Sequence, residues 1–145
     1  AAAAARGGAA IVQSRGKGAE DRPAEARRVV EAARVAGAEA FVNDRVDWAV
    51  AVGADGVHLG VADRGDARAA LARAPNLRVG LSSHTIEEAL TAAAEDPAYV
   101  SFGPVWPTDS KADAAPVVGL DLLRRVMRRR SCLILSAKPM RCAAL

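Results

Sequence analysis

Short apolar runs alternate with helical stretches along most of this chain, and that alternation limits the fold more than any other feature. The runs are Ala9 to Arg15, Ala40 to Val42, Gly56 to Leu59, Arg78 to Leu81, Tyr99 to Phe102 and Cys132 to Leu135. Each is about strand length, and they recur at intervals of roughly 20 to 30 residues. Between them lie amphipathic segments with helix signals. One starts near Asp21-Arg22-Pro23 and stops at Gly37; another runs from about Asp47 to Val52 and stops at Gly53. A third spans about Asp66 to Ala74, a fourth opens on the capping box Thr85-Ile86-Glu87-Glu88 and reaches about Ala94, and a fifth covers Gly119 to about Arg130. Strands spaced by helices are the mark of βα units in a parallel sheet. The expected class is α/β, organised as one domain over 1-145, with Ala1 to Ala10 an uninformative, frayed start.

Parallel βα units bring the C-terminal ends of their strands to one face, where binding and catalytic groups gather. The polar residues of this chain follow that rule. Gln13, Arg15 and Lys17 fall at alternate positions at the end of the first run, so an extended backbone directs all three to one side. Asn43 and Asp44 follow the second run, Asp63 the third and Ser82 the fourth. The stretch Ser101 to Lys111, SFGPVWPTDSK, then presents Thr108, Ser110 and Lys111 on a polar loop. Two hydroxyls and an ammonium there suit an anion. As a set, two carboxylates can share a Mg²⁺ with phosphate oxygens, and Arg15, Lys17 and Lys111 can neutralise those oxygens. Departure of a pyrophosphate group needs that combination. Each group also has a plainer reading. Asp44 beside Arg45 and Asp63 beside Arg64 read equally as loop ion pairs, His58 as a packed core histidine and His84 as a tie for its loop.

Composition narrows the alternatives. The chain has 145 residues, 51% of them apolar and dominated by alanine and valine, with a formal charge of +3. Its arginines are scattered among acids, and the cluster Arg124-Arg125 with Arg128 to Arg130 has no aromatic platform beside it, so no nucleic-acid partner is expected. Cys132 and Cys142 match no metal spacing. The Ala1 to Ala5 run lacks the charge and length of a signal peptide or membrane span, and a cytoplasmic protein with no membrane partner is expected.

Taken in order, Gln13-x-Arg15-x-Lys17, Asn43-Asp44-Arg45, Val52-Gly53-Ala54-Asp55-Gly56-Val57-His58-Leu59-Gly60 with Asp63, Gly80-x-Ser82-x-His84, and Gly103-Pro104-Val105-Trp106-Pro107-Thr108-x-Ser110-Lys111 resemble the motifs of thiamine-phosphate synthases. The resemblance covers about Ile11 to Leu123. It implies a TIM-barrel (βα)8 fold and a transferase that joins a pyrimidine methyl pyrophosphate to a thiazole phosphate, releasing pyrophosphate in thiamine biosynthesis. It further implies that Gln13, Arg15, Lys17, Asn43, Ser82 and Lys111 hold the pyrimidine pyrophosphate, with Arg15, Lys17 and Lys111 stabilising the leaving charge. Asp44 and Asp63 would ligate Mg²⁺, and Thr108 and Ser110 would meet the thiazole phosphate.

There are departures. Val61 stands where the family usually has glutamine, and the region from Cys132 onward lacks the family's paired glycines. A full barrel takes at least about 200 residues. The chain is therefore expected to hold an incomplete barrel of about six parallel βα units, shortened at both ends, with the thiazole-phosphate half of its site incomplete. Alternatives within the fold are a regulatory binder of thiazole or thiamine phosphates, a thiazole tautomerase and an inactive fragment; a homo-oligomer is left open.

Overall fold

The computed structural model describes residues 1–15, 22–107, 115–128 and 134–136. The chain forms two compact units, Ala1–Gly80 and Leu81–Leu145. In the first unit, α1 (Ala2–Arg6) precedes β1 (Ile11–Ser14), α2 (Arg22–Val35), β2 (Glu39–Asn43), α3 (Val46–Val52), β3 (Gly56–Leu59) and α4 (Arg64–Leu71). Strand β4 (Arg78–Ser83) runs across the boundary, and the second unit continues with α5 (Ile86–Ala94), β5 (Tyr99–Phe102), α6 (Gly119–Met127) and β6 (Ile134–Ser136). The expected alternation of strand and helix is therefore present.

Parallel pairing is explicit within each unit. Strand β1 pairs with β2, Gln13 opposite Phe41 and Ser14 opposite Val42, and β2 pairs with β3, Phe41 opposite Gly56 and Asn43 opposite His58. In the second unit β5 pairs with β6, Val100 opposite Ile134. Both faces of a parallel sheet are normally covered, and the strands here read as continuous apolar runs for that reason. Phe41, Val42, Val57 and Leu59 are buried in the first unit, with Val30 and Ala33 from α2 and Ala49 from α3. Leu81, Val100, Phe102 and Val105 are buried in the second, with Ala89 and Ala92 from α5 and Val126 from α6. Alanine on the inward helix faces lets backbones approach closely, which accounts for its abundance.

The β2–β3 register is held by more than the ladder. The Asp55 backbone N–H donates to the Ala40 carbonyl at 3.0 Å, and the Ala40 N–H returns a bond to Asp55 Oδ2 at 2.8 Å. One residue on, the Phe41 ring lies over Gly56 so closely that a Cβ there would sit 2.3 Å from Cε1 and 2.7 Å from the Arg78 carbonyl oxygen. Asp55-Gly56 is thus a structural pair, one residue supplying an acceptor and the next supplying room.

Helix ends follow sequence chemistry. Gly53, at φ 67°, closes α3, its N–H and that of Ala54 taking up the carbonyls of Val50 and Ala49. Thr85 caps α5 by accepting from Glu88 N–H at 3.1 Å. The Glu88 carboxylate reaches one residue further back than a standard capping box, accepting from the His84 N–H at 2.7 Å.

Three expectations are corrected. The N-terminal alanine run is helical from Ala2 to Arg6, with Ala5 buried and the helix lying against α2; alanine's high helix propensity and that contact outweigh fraying. Helix α4 opens at Arg64, not Asp66, because Asp63 provides its N-cap residue and the Ala67 N–H bonds back to the Asp63 carbonyl. Strand β4 continues to Ser83, whose Oγ donates to the Ser101 carbonyl at 2.9 Å and so satisfies a polar side chain inside the second unit.

Two stability measurements follow from this packing. Gly56→Ala forces its methyl group against both a ring and a backbone oxygen, and urea unfolding should show a loss of about 2–3 kcal/mol. Thr85→Ala removes one cap acceptor from an exposed helix start, and the same titration should show a loss of about 1 kcal/mol.

Candidate functional site

The C-terminal ends of β1, β2 and β3 carry a compact set of polar groups in the first unit. Gln13 and Arg15 are exposed while Ser14 between them is buried, as alternation requires. Gln13 is level with Phe41 and Ser14 with Val42, so Arg15, the next residue, follows the end of β1 towards Asn43, which is itself opposite His58. Asn43 and His58 are thus paired directly beyond Phe41 and Gly56, and the charge of Arg15, one residue past the end of β1, acts on His58.

The turn after β2 places Asp44. Its backbone is left-handed, φ 65°, a conformation that asparagine and aspartate tolerate better than other non-glycine residues. The Asp44 N–H donates to the His58 carbonyl at 2.8 Å, and the Arg45 N–H donates to the Asn43 carbonyl at 2.8 Å, so the turn is fastened to β3 on one side and to itself on the other. The Asn43 side-chain amide donates to Asp44 Oδ2, fixing that carboxylate's direction. Arg45 engages Asp47 through two bonds, Nε to Oδ1 at 2.8 Å and a terminal nitrogen to Oδ2 at 2.5 Å, and its guanidinium stacks 4.2 Å above the Trp48 ring. That hydrogen bond holds the Asp47 carboxyl below its ordinary range. The neighbour-pair reading of Arg45 is therefore corrected: its forked partner is Asp47, which lies two residues on and matches a bidentate geometry that an adjacent residue does not offer.

The turn after β3 places Asp63. Its N–H bonds to the Gly60 carbonyl at 3.2 Å, and its carboxylate folds back over Gly60. Asp44 and Asp63 thus follow neighbouring strands, each half-buried or exposed at a strand end. Among the described residues there is no group of three or more His, Cys, Asp or Glu suited to a metal. Two carboxylates nevertheless fit Mg²⁺, which keeps several waters and takes one or two protein carboxylates plus substrate phosphates. The donor set and the Asn43 amide that orients Asp44 are consistent with such an ion.

His58 was expected to be a packed histidine, and its chemistry is more pointed than that. Burial first, and then the positive charges of Arg15 and Arg64, lower its pKa from 6.5 to about 4. A neutral imidazole here adds no charge to the cations beside it. Arg64 was read only as a neighbour of Asp63, and its influence on His58 puts it with Arg15. The signal available in sequence was position alone: both flank a strand end.

Within the second unit, Ser82 is half-buried near the end of β4. The adjoining loop is tied down by His84, whose Nδ1 lies 2.6 Å from the Gly103 carbonyl, and by the Gly103 N–H to the Ser83 carbonyl at 3.2 Å. The peptide before Pro104 is cis, and the Pro104 carbonyl accepts from Val118 N–H at 2.8 Å. This holds the base of the SFGPVWP stretch. Lys17, Thr108, Ser110 and Lys111 lie outside the described residues.

The low pKa of His58 has a measurable sign. In metal-free protein, its ring proton resonances should titrate with a midpoint near about 4. Because unfolding returns the ring to about 6.5, the unfolded chain takes up the proton first. Stability from this group is complete above about 6.5 and is lost as pH falls towards 4, by on the order of 3 kcal/mol. A His58→Gln variant should lack that component in urea titrations run across the window.

The chain is similar to proteins of known name. The family model described as thiamine monophosphate synthase matches residues 1–137. The thiamine-phosphate synthase of Methanocella arvoryzae is 50% identical over 96 residues, covering 66% of this chain and 45% of that protein. That of Chloroflexus aurantiacus is 43% identical over 129 residues, covering 86% of this chain and 58% of that protein. The chain thus spans about half the length of the curated relatives it matches. Among solved structures, a thiamine phosphate pyrophosphorylase from Pyrococcus furiosus aligns with a TM-score of 0.81 at 35% identity, over 96% of this chain and 67% of that one. That likeness bears out the expected TIM-barrel class. With its parallel βα units and a family match over nearly its whole length, the chain belongs to the thiamine monophosphate synthase family.

Proposed function

We propose that this chain carries the pyrimidine-pyrophosphate half of a thiamine-phosphate synthase site, acting in the cytoplasm on two phosphorylated heterocycles. The observation that supports it most directly is the pair Asn43 and His58 at the strand ends, with the charge of Arg15 acting on His58 and the carboxylates of Asp44 and Asp63 on the turns that follow. In this reading Arg15 neutralises the pyrophosphate as its bond to the pyrimidine methylene breaks, and Gln13 and Asn43 orient the substrate by hydrogen bonds. Ser82 adds a hydroxyl. Asp44 and Asp63 hold Mg²⁺, which when bound supplies charge stabilisation to the leaving oxygens. Lys17, from the first motif, and Lys111, from the last, add cations, and Thr108 and Ser110 receive the thiazole phosphate.

No nucleophile of the protein is required, because pyrophosphate leaves with the bonding electrons, the pyrimidine stabilises the methylene cation that remains, and the thiazole nitrogen captures it. The protein's task is to orient both partners and to balance charge, and such positioning accounts for large rate factors. His58, neutral, leaves the negative charge of the substrate to the arginine and the metal.

The reading is tested by following thiamine phosphate formation from the two phosphorylated substrates with and without Mg²⁺. Asp44→Ala and Asp63→Ala are each expected to lower kcat/KM by about a hundredfold, since each removes one of the two carboxylates proposed to hold the ion that stabilises the leaving charge. Parent-level turnover in both variants would remove the metal assignment.

A further inference from the structure

The turn after β3 contains a contact set by volume alone. A Cβ added at Gly60 would lie 2.5 Å from Asp63 Oδ2 and 3.7 Å from Asp63 Cγ. No side-chain carbon approaches an oxygen so closely, so the Asp63 carboxylate occupies space that every other residue type would fill. Backbone conformation does not demand glycine here, because the positive-φ glycines are Gly8, Gly37, Gly53 and Gly119, and Gly60 is not among them. Meanwhile the Asp63 main chain is held at both ends, by its N–H to the Gly60 carbonyl at 3.2 Å and by its carbonyl to the Ala67 N–H at 3.1 Å. Only the Asp63 side-chain torsions are left free to move.

We propose that Gly60 is a positioning residue for Asp63, its missing side chain setting the direction in which that carboxylate meets a divalent cation; the inference rests on reading Asp63 as a Mg²⁺ ligand. A methyl group at residue 60 displaces the end of a rotatable side chain, and the fold has nothing else to give way. Gly56 is the opposite case, since its added Cβ meets a buried ring and a backbone oxygen. The two glycines therefore have separable signatures: loss of stability at Gly56, and loss of cation affinity at unchanged stability at Gly60. Gly65, whose Cβ would meet nothing within 4 Å, is the internal control.

The test is a Mn²⁺ titration read by the electron paramagnetic resonance of the free ion, on the full chain, paired with a thermal melt of each variant. Gly60→Ala should bind Mn²⁺ about tenfold more weakly, the usual scale for disturbing a group that orients a metal ligand, and melt with the parent. Gly65→Ala should bind as the parent does. Unchanged affinity in Gly60→Ala, with weakened binding in Asp63→Ala, would overturn this inference and leave the role of Asp63 standing. Unchanged affinity in Asp63→Ala would overturn both. A Gly60→Ala chain that melts well below the parent would show that the glycine serves the fold and would also overturn the proposal.

Discussion

The register between β2 and β3 is the constraint on which the first unit depends. Two bonds between Ala40 and Asp55, one backbone to backbone and one to the Asp55 carboxylate, fix it, and the Phe41 ring lies where only a glycine at residue 56 leaves room. Burying one such ring is worth about 2–3 kcal/mol. A slip of one residue in β2 would turn Asn43 to the face of the sheet opposite His58. The same register sets where each strand stops, and therefore where the turns bearing Asp44 and Asp63 begin. Packing inside the unit and chemistry at its edge share a single geometric cause.

Much of this was readable from residue order because it depends on local chemistry. Strand and helix alternation, the Thr85 cap and the Gly53 terminator are each encoded within a few residues. The polar residues at strand ends could be named because parallel topology assigns them a common edge. What was not readable depends on partners distant in the chain. The helicity of Ala2–Arg6 draws on contact with α2, and a run of alanine carries no periodic signal to announce it. The last residue of β4 is retained by a bond to Ser101. His58 looked like a core residue since its strand is apolar; only its register with Asn43 and the charge of Arg15 acting on it show that it lies beside the polar strand ends. Asp55, within the most recognisable motif of the chain, turned out to be a fastener for β2.

Charge arrangement supports the functional reading by contrast as much as by content. The cations that depress the pKa of His58 lie on the edge where an anionic substrate is proposed, while Asp44 and Asp63 sit on adjoining turns. Opposite charges placed on adjoining turns suit a ligand that carries both, such as a pyrophosphate with its cation. Arg45, by comparison, is spent on Asp47 and Trp48, and belongs to the support of the turn.

That stacked arginine gives the turn an optical property. The Trp48 indole lies beneath a guanidinium 4.2 Å away, on the first turn of α3, whose N-cap residue is Arg45 itself. A charge held that close to an indole alters the energy of its excited state, so the emission of Trp48 is coupled to the position of Arg45 and, through the backbone bond from Arg45 to Asn43, to the turn that carries the carboxylate. The chain is equipped with its own fluorophore at the edge of its proposed cation site, sensitive to local rearrangement without any attached label.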